Sequence, residues 1–177
     1  MSNWNKVFKP IVVLCVICIA ITGALAATNN VTAPIIEAAR IEAERLARIE
    51  LLPEADDFTP VEGVAVDNVT AVYAANNGTG YVITSTAKGY GGKMTVMTSF
   101  DADGNIKQLK VTEDAETQGI GSNVSKGKGY WANYAGKPAD KELVLGVDVD
   151  AYATATISSR ALNSAVNSAI NAYNAIP

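Results

Sequence analysis

The chain has 177 residues, of which 49% are hydrophobic and 18% charged, with a net charge of −4 at pH 7. That is enough for one domain and an appendage, and the acidic balance lacks the basic footprint of a nucleic-acid binder. No histidine occurs, which removes the commonest general base, metal ligand and pH switch. Any redox chemistry therefore needs a borrowed cofactor.

The first predicted element is a membrane span. Ile11 to Ala27, IVVLCVICIAITGALAA, carries no charge. As a helix it covers about 26 Å at roughly 1.5 Å per residue, against a hydrocarbon core of roughly 30 Å. Val7 and Phe8 can extend it. Lys6 and Lys9 precede the run and no basic residue follows until Arg40, so the positive-inside rule puts the N-terminus in the cytoplasm and the remainder outside. A cleaved signal peptide ending at ALAA is the other reading of the same run. Cys15 and Cys18 lie inside it, where they read as lipid-facing or packed side chains, with a redox CxxC pair as the alternative.

The second predicted element is a stalk helix. Thr32 reads as its cap, Pro34 falls in its first turn and Pro53 ends it. Ile35, Ala39, Ala43, Leu46 and Ile49 approximate an apolar stripe, and Glu44 precedes Arg48 by four residues. The stripe is mostly alanine, which favours a stalk continuing from the span over an in-plane amphipathic anchor. The predicted organisation is thus a tail and anchor over 1–30, a stalk over 31–56 and a globular domain over 57–177.

In the globular part the pattern shifts to short strands. NVTAVYAAN and GYVITSTAK are β-rich and flank the turn signal NNGTG. MTVMTSFD and NIKQLKVTED form a hairpin through a turn containing Gly104. ELVLGVDVD, Glu142 to Asp150, is read as another strand. Leu162, Ala165, Val166, Ala169, Ile170 and Tyr173 then recur at helical spacing, predicting a C-terminal helix that starts near Ser158 or Ser159. The predicted fold class is α+β, a mainly antiparallel sheet packed by that helix.

Three stretches could carry chemistry. Ala153 to Ser159, ATATISS, runs into the C-terminal helix, whose unpaired first-turn N–H groups suit an anion. Thr154, Thr156, Ser158 and Ser159 add hydroxyls and Arg160 adds a charge. A helix cap at Ser158 after a strand-end threonine pair explains the same residues. KGYGGKMTVM places Gly89, Gly91 and Gly92 around Tyr90, where missing side chains would let backbone approach a flat ligand. EDAETQGIGS is a second glycine-containing loop, with Glu116, Thr117 and Gly119. Each loop alone is equally a plain turn.

In this order the segments resemble one family. TNNVTAPII, LLPEADDF, GYGGKMTVM, DADGNIKQLKV, ETQGIGS and TATISSRAL are similar to the G subunit of the Rnf complex, a membrane-bound ferredoxin:NAD oxidoreductase. That subunit is related to the C subunit of sodium-translocating NADH:quinone reductase. The resemblance covers nearly the whole chain. The family motif is Ser/Thr-Gly-Ala-Thr followed by Ile/Leu-Ser/Thr, and its last threonine carries FMN through a phosphoester. Thr156 matches that threonine, with Ala155 before it and Ile157, Ser158, Ser159 and Arg160 after it. Ala153 and Thr154 replace Ser/Thr and Gly, and Thr154 cannot take positive φ without cost. Gln118 stands where the family often has proline.

The resemblance implies that 57–177 is a covalent FMN-binding domain outside the cytoplasm, loaded by a separate flavin transferase. The flavin ring would lie against the Gly89–Gly92 and Glu116–Gly121 loops. The chain would then be an electron carrier within a membrane complex that pumps ions, with no independent catalysis. Two other functions fit the outline: a stand-alone membrane-tethered flavin carrier, and a pilin-like structural subunit. Against the pilin, Lys9-Pro10 precede the apolar run and no carboxylate lies within it.

Overall fold

A computed structural model describes residues 8–177; Lys6 and Val7, used above for orientation and span length, lie outside the described residues. One helix, α1 (Lys9–Leu51), contains both the predicted span and the stalk. At 1.5 Å per residue it is about 65 Å long. Among the described residues it is the one helix long and apolar enough to cross a membrane. Cys15 and Cys18 are exposed on it as free thiols. Because α1 runs unbroken through residues 30 and 31, Thr32 is not a cap. Its hydroxyl donates instead to the Thr28 carbonyl one turn back (3.0 Å), as Thr28 does to Ala24 (3.0 Å). This bonding satisfies the hydroxyl locally and lets the helix continue.

By contact density the chain divides between Ala43 and Glu44, so the last two turns of α1 belong with the globular part. There the predicted stripe is displaced. Leu46 and Ile49 are exposed, while Ala47, Arg48 and Leu51 are buried. Arg48 lies on the inner side because its guanidinium stacks 4.1 Å from the ring centre of Tyr73, a cation–π contact that lets an arginine sit among apolar groups.

The sheet is an antiparallel meander in the order β1 (Phe58–Pro60), β2 (Val69–Ala75), β3 (Gly80–Lys88), β4 (Lys93–Asp101), β5 (Ile106–Glu113). The strands β2 to β5 follow the sequence prediction; β1 is too short and too polar to announce itself. Side chains alternate between two faces. On one face Ile83, Val96 and Phe100 meet Leu162, Ala165, Val166, Ala169 and Ile170 of α4 (Thr156–Asn174). On the other, Val82 and Met97 meet Ala47, Leu51 and Leu52. The interior strand β4 is covered on both sides, which is why MTVMTSF is buried throughout. Ser99 of β4 donates to the Leu51 carbonyl (3.0 Å) and Ser85 of β3 to the Ala165 carbonyl (2.7 Å), whereas the buried Thr98 hydroxyl of β4 has no partner among the described residues.

The β4–β5 turn needs Gly104 at φ +83, and Tyr173 of α4 packs within 3.0 Å of where a Cβ would stand. Tyr173 stacks on Phe100 at 5.0 Å, fixing the C-terminal end of α4 on the sheet.

Between β5 and α4 run two one-turn helices, α2 (Ser122–Ser125) and α3 (Lys128–Trp131), a 3₁₀ turn at Ala132–Tyr134, and a long irregular segment. The predicted strand at 142–150 is not formed; only an isolated bridge joins Leu145 and Val149. Side-chain amides take over the role of a ladder. Leu143 N–H donates to Asn167 Oδ1 (2.9 Å), and its carbonyl accepts from Asn163 (2.8 Å) and Asn167 (3.0 Å). Asp148 accepts the Val144 N–H (2.8 Å), closing the segment on itself. With their backbone groups satisfied this way, these residues have no need of a neighbouring strand.

Candidate functional site

The site forms where three chain segments converge at the N-terminus of α4. The helix begins at Thr156, two or three residues earlier than predicted. Its N-cap is Ala155, which makes no side-chain cap bond. Alanine is among the poorest N-caps, costing about 1 kcal/mol against serine or aspartate. The first-turn N–H groups are thus left without a side-chain acceptor at an exposed end that carries partial positive charge. Thr156 and Ile157 are exposed there, while Ser158 and Ser159 are buried.

The preceding residue explains how the helix starts so abruptly. Thr154 has φ +73, the left-handed conformation that a β-branched residue adopts only under strain. This is the position where the motif of the family that the sequence resembles has glycine. Ser159 braces the turn: its hydroxyl donates to the Ala155 carbonyl (3.0 Å) and accepts the Tyr152 N–H (3.0 Å). Ser158 is therefore not the cap that local sequence suggests. Its hydroxyl points away from the helix end and donates to Glu116 Oε2 (2.7 Å).

Glu116 comes from the loop after β5 and also reaches the turn between β3 and β4, where its Oε1 accepts the Tyr90 N–H (2.9 Å). The glycines around it have a definite purpose. A Cβ on Gly89 would stand 2.0 Å from Glu116 Oε1, one on Gly121 2.0 Å from Oε2, and one on Gly91 1.8 Å from the Ala115 carbonyl. By sequence alone the room these glycines leave is expected to serve a ligand; in the structure the 115–116 segment occupies it.

Around this junction opens a cavity of about 520 Å³, within the range of small-molecule sites. One wall is Tyr90, another is Thr117, Ile120 and Gly121, and the third is residues 154–158 with Thr156 among them. Tyr90, Ile120 and Ile157 are 71%, 51% and 52% exposed. Three large apolar groups facing one opening suit a flat, partly apolar ligand. Glu116 is the one charged residue on the lining.

Of the sequence-predicted site residues, Tyr90, Glu116, Thr117, Thr154, Ala155, Thr156, Ile157 and Ser158 come together on this lining. Gly89, Gly91 and Gly92 lie behind it, shaping the approach of residues 115 and 116. Gly119, at φ +82, turns the Thr117–Ser122 loop, and its N–H donates to Ser122 Oγ (2.9 Å). Arg160 lies elsewhere. It lines a separate depression with Glu142, Leu145 and the α4 residues Asn163, Asn167 and Asn171. Sequence reasoning set the ring against the Glu116–Gly121 loop as a whole without singling out Ile120 or Gly121; the spacing of Glu116 and Gly121 within ETQGIG is the signal that could have found the second.

Residues 89–171 match the FMN-binding domain family. Over 97% of this chain and 93% of the relative's length, the chain is 34% identical to the G subunit of the Na(+)-translocating ferredoxin:NAD(+) oxidoreductase complex of Acetobacterium woodii. It is 31% identical to the G subunit of the ion-translocating oxidoreductase complex of Methanosarcina acetivorans, over 97% of this chain and 96% of that one. A proton-translocating counterpart from Clostridium ljungdahlii is 26% identical over 96% and 92% of the two chains.

Proposed function

The chain belongs to the family of G subunits of ion-translocating ferredoxin:NAD(+) oxidoreductase complexes, and on that premise we propose that it carries FMN covalently on Thr156 and relays electrons between redox centres of neighbouring subunits. An electron-transfer role with FMN follows from the family and its FMN-binding domain; the phosphoester to Thr156 is the finer proposal. The observation that carries it is the exposed Thr156 hydroxyl on the first residue of an uncapped helix, at the wall of the apolar cavity.

The residues fit the group. The first turn of α4 offers N–H donors and a partial positive charge to a phosphoester, a contribution of roughly 0.3–1 kcal/mol. Tyr90, Ile120 and Ile157 offer apolar surface to an isoalloxazine ring. Bound FMN supplies the capacity to accept and release electrons, which this histidine-free chain otherwise lacks. The protein's share is to hold, orient and shield that group.

A threonine hydroxyl is a weak nucleophile without a strong base beside it, so attachment is assigned to a separate flavin transferase that takes FMN from FAD. The remaining parts follow the same reading: 1–30 anchors the chain, 31–56 is the stalk and 57–177 is the flavin domain. Lys6 and Lys9 place the N-terminus in the cytoplasm and the flavin domain on the other side. Membrane subunits of the complex are the partners, and the span between Ile11 and Ala27, uncharged throughout, conducts no ion by itself.

The test is flavin fluorescence on a denaturing gel together with the mass of the Thr156 peptide from natively produced protein. Fluorescence should stay with the polypeptide, vanish in Thr156→Val and persist in Thr154→Val. An unmodified native peptide overturns the attachment. Co-purification with multi-span membrane subunits checks the partners; isolation of a flavinylated chain without them would favour the stand-alone carrier.

A further inference from the structure

Glu116 is the feature of the cavity that flavin attachment does not explain. A phosphate site is usually lined by cations, yet here the single charged group on the lining is a carboxylate. Arg160, the nearest cation in sequence to the attachment residue, faces a different depression. The carboxylate is not idle. Each of its oxygens accepts one hydrogen bond, from Tyr90 N–H at 2.9 Å and from Ser158 Oγ–H at 2.7 Å. Its own N–H is held by Asp114 Oδ1 at 3.0 Å. Ser158 is 2% exposed, so the second bond is sheltered from water, where a charge-assisted hydrogen bond is strongest.

We propose that Glu116 is a positioning residue that clasps the Tyr90 wall of the cavity to the first turn of α4 and sets the charge felt by whatever group the cavity holds. The clasp joins segments 26 and 42 residues away in sequence. It also accounts for the glycines: side chains at Gly89 or Gly121 would occupy the space of the carboxylate oxygens, and one at Gly91 that of the backbone just before them. For the charge the proposal rests on the flavin reading. A fixed negative group beside a flavin opposes the negative charge gained on reduction, so it lowers the reduction potential. The clasp itself belongs to the protein without flavin.

The experiment uses the full chain in detergent, flavin-free and flavin-loaded. In the flavin-free protein, amide hydrogen exchange at Tyr90 and at residues 157–159 should quicken together by tenfold or more in Glu116→Ala, with the β3–β4 core unchanged. Glu116→Gln should restore slow exchange, since its amide can accept from Tyr90 and donate to Ser158 Oγ. Gly121→Ala and Gly89→Ala should mimic Glu116→Ala, while Gly129→Ala, which has open space for its Cβ, should leave exchange unchanged. In the loaded protein, Glu116→Gln should shift the midpoint potential to a more positive value.

Unchanged exchange in Glu116→Ala, or equal quickening throughout the sheet, overturns the clasp. An unshifted potential in Glu116→Gln overturns the charge effect. Native protein found without flavin on Thr156 overturns the attachment reading instead, and the exchange experiment still decides the clasp.

Discussion

The body of α4 and its N-terminus follow opposite rules. Along the body, Leu162, Ala165, Val166, Ala169 and Ile170 are fully buried against β3 and β4, with the spacing an amphipathic helix requires. At the N-terminus the cap is alanine, the residue before it is a threonine in the left-handed region, and Thr156 and Ile157 face outward. The contrast teaches that the helix is held by its face and left unfinished at its end. Packing supplies enough stability for the end to keep free N–H groups, backbone strain and an exposed hydroxyl, the features a ligand site needs.

Substitutions that target one region should leave the other's property intact. The largest effect belongs to the body: Leu162→Ala should destabilise the globular part by about 2–5 kcal/mol through the cavity it leaves, read by denaturant unfolding. Flavin loading should fall only as far as the folded fraction falls.

Next is Ser159→Ala, at the junction of the two regions. It leaves the Tyr152 N–H without its partner, at a cost of about 1–3 kcal/mol. Because Tyr152 leads into residues 153–155, flavin incorporation should drop even under conditions where the protein is fully folded, as measured by absorbance per polypeptide.

Thr154→Gly should act in the other direction. Relieving the left-handed threonine should add up to about 1 kcal/mol, seen as a higher unfolding midpoint with flavin content unchanged. A lower midpoint would mean that the threonine side chain makes a contact that outweighs its strain.

The smallest effect is electrostatic and lies at the opposite end of α4 from the cavity, where Asp101 neighbours Tyr173. Burial pushes the Asp101 carboxyl up, but the N–H groups of Asn105 and Asp103, the Asn105 side chain and the charge of Lys107 outweigh it, so its pKa lies below the ordinary value. A depressed folded-state pKa adds stability that is present above the unfolded value of about 3.9 and is lost as pH falls through the folded value. Asp101→Asn should flatten that acid limb of the stability profile and change little at neutral pH, by titration of the unfolding midpoint.

Much of this architecture is legible without coordinates. The uncharged run Ile11–Ala27, the alternating strands on either side of NNGTG, the Gly104 hairpin and the α4 stripe each express a local period, 2 or 3.6, that neighbouring residues determine together. The run around Thr156 is noticed for a different reason: its resemblance to a family motif rests on consecutive residues. Other features depend on partners distant in the chain. ELVLGVDVD at 142–150 has a strand-like pattern but forms no strand, since Asn163 and Asn167 of α4 satisfy Leu143. The stalk stripe falls on the wrong side because Tyr73 draws Arg48 inward. Ser158 looks like a cap until Glu116 takes its hydroxyl.

By itself, then, the sequence determined the long apolar N-terminal helix and the antiparallel sheet with its covering helix, both of them products of short-range periodicity and composition. The tertiary structure alone decided that the helix starts uncapped at Thr156, that Thr154 bears the strain, that Arg160 faces elsewhere and that the glycines make room for Glu116. The physical reason is that these depend on which distant groups compete for the same hydrogen bonds and the same space, and that competition begins only when the chain has closed on itself.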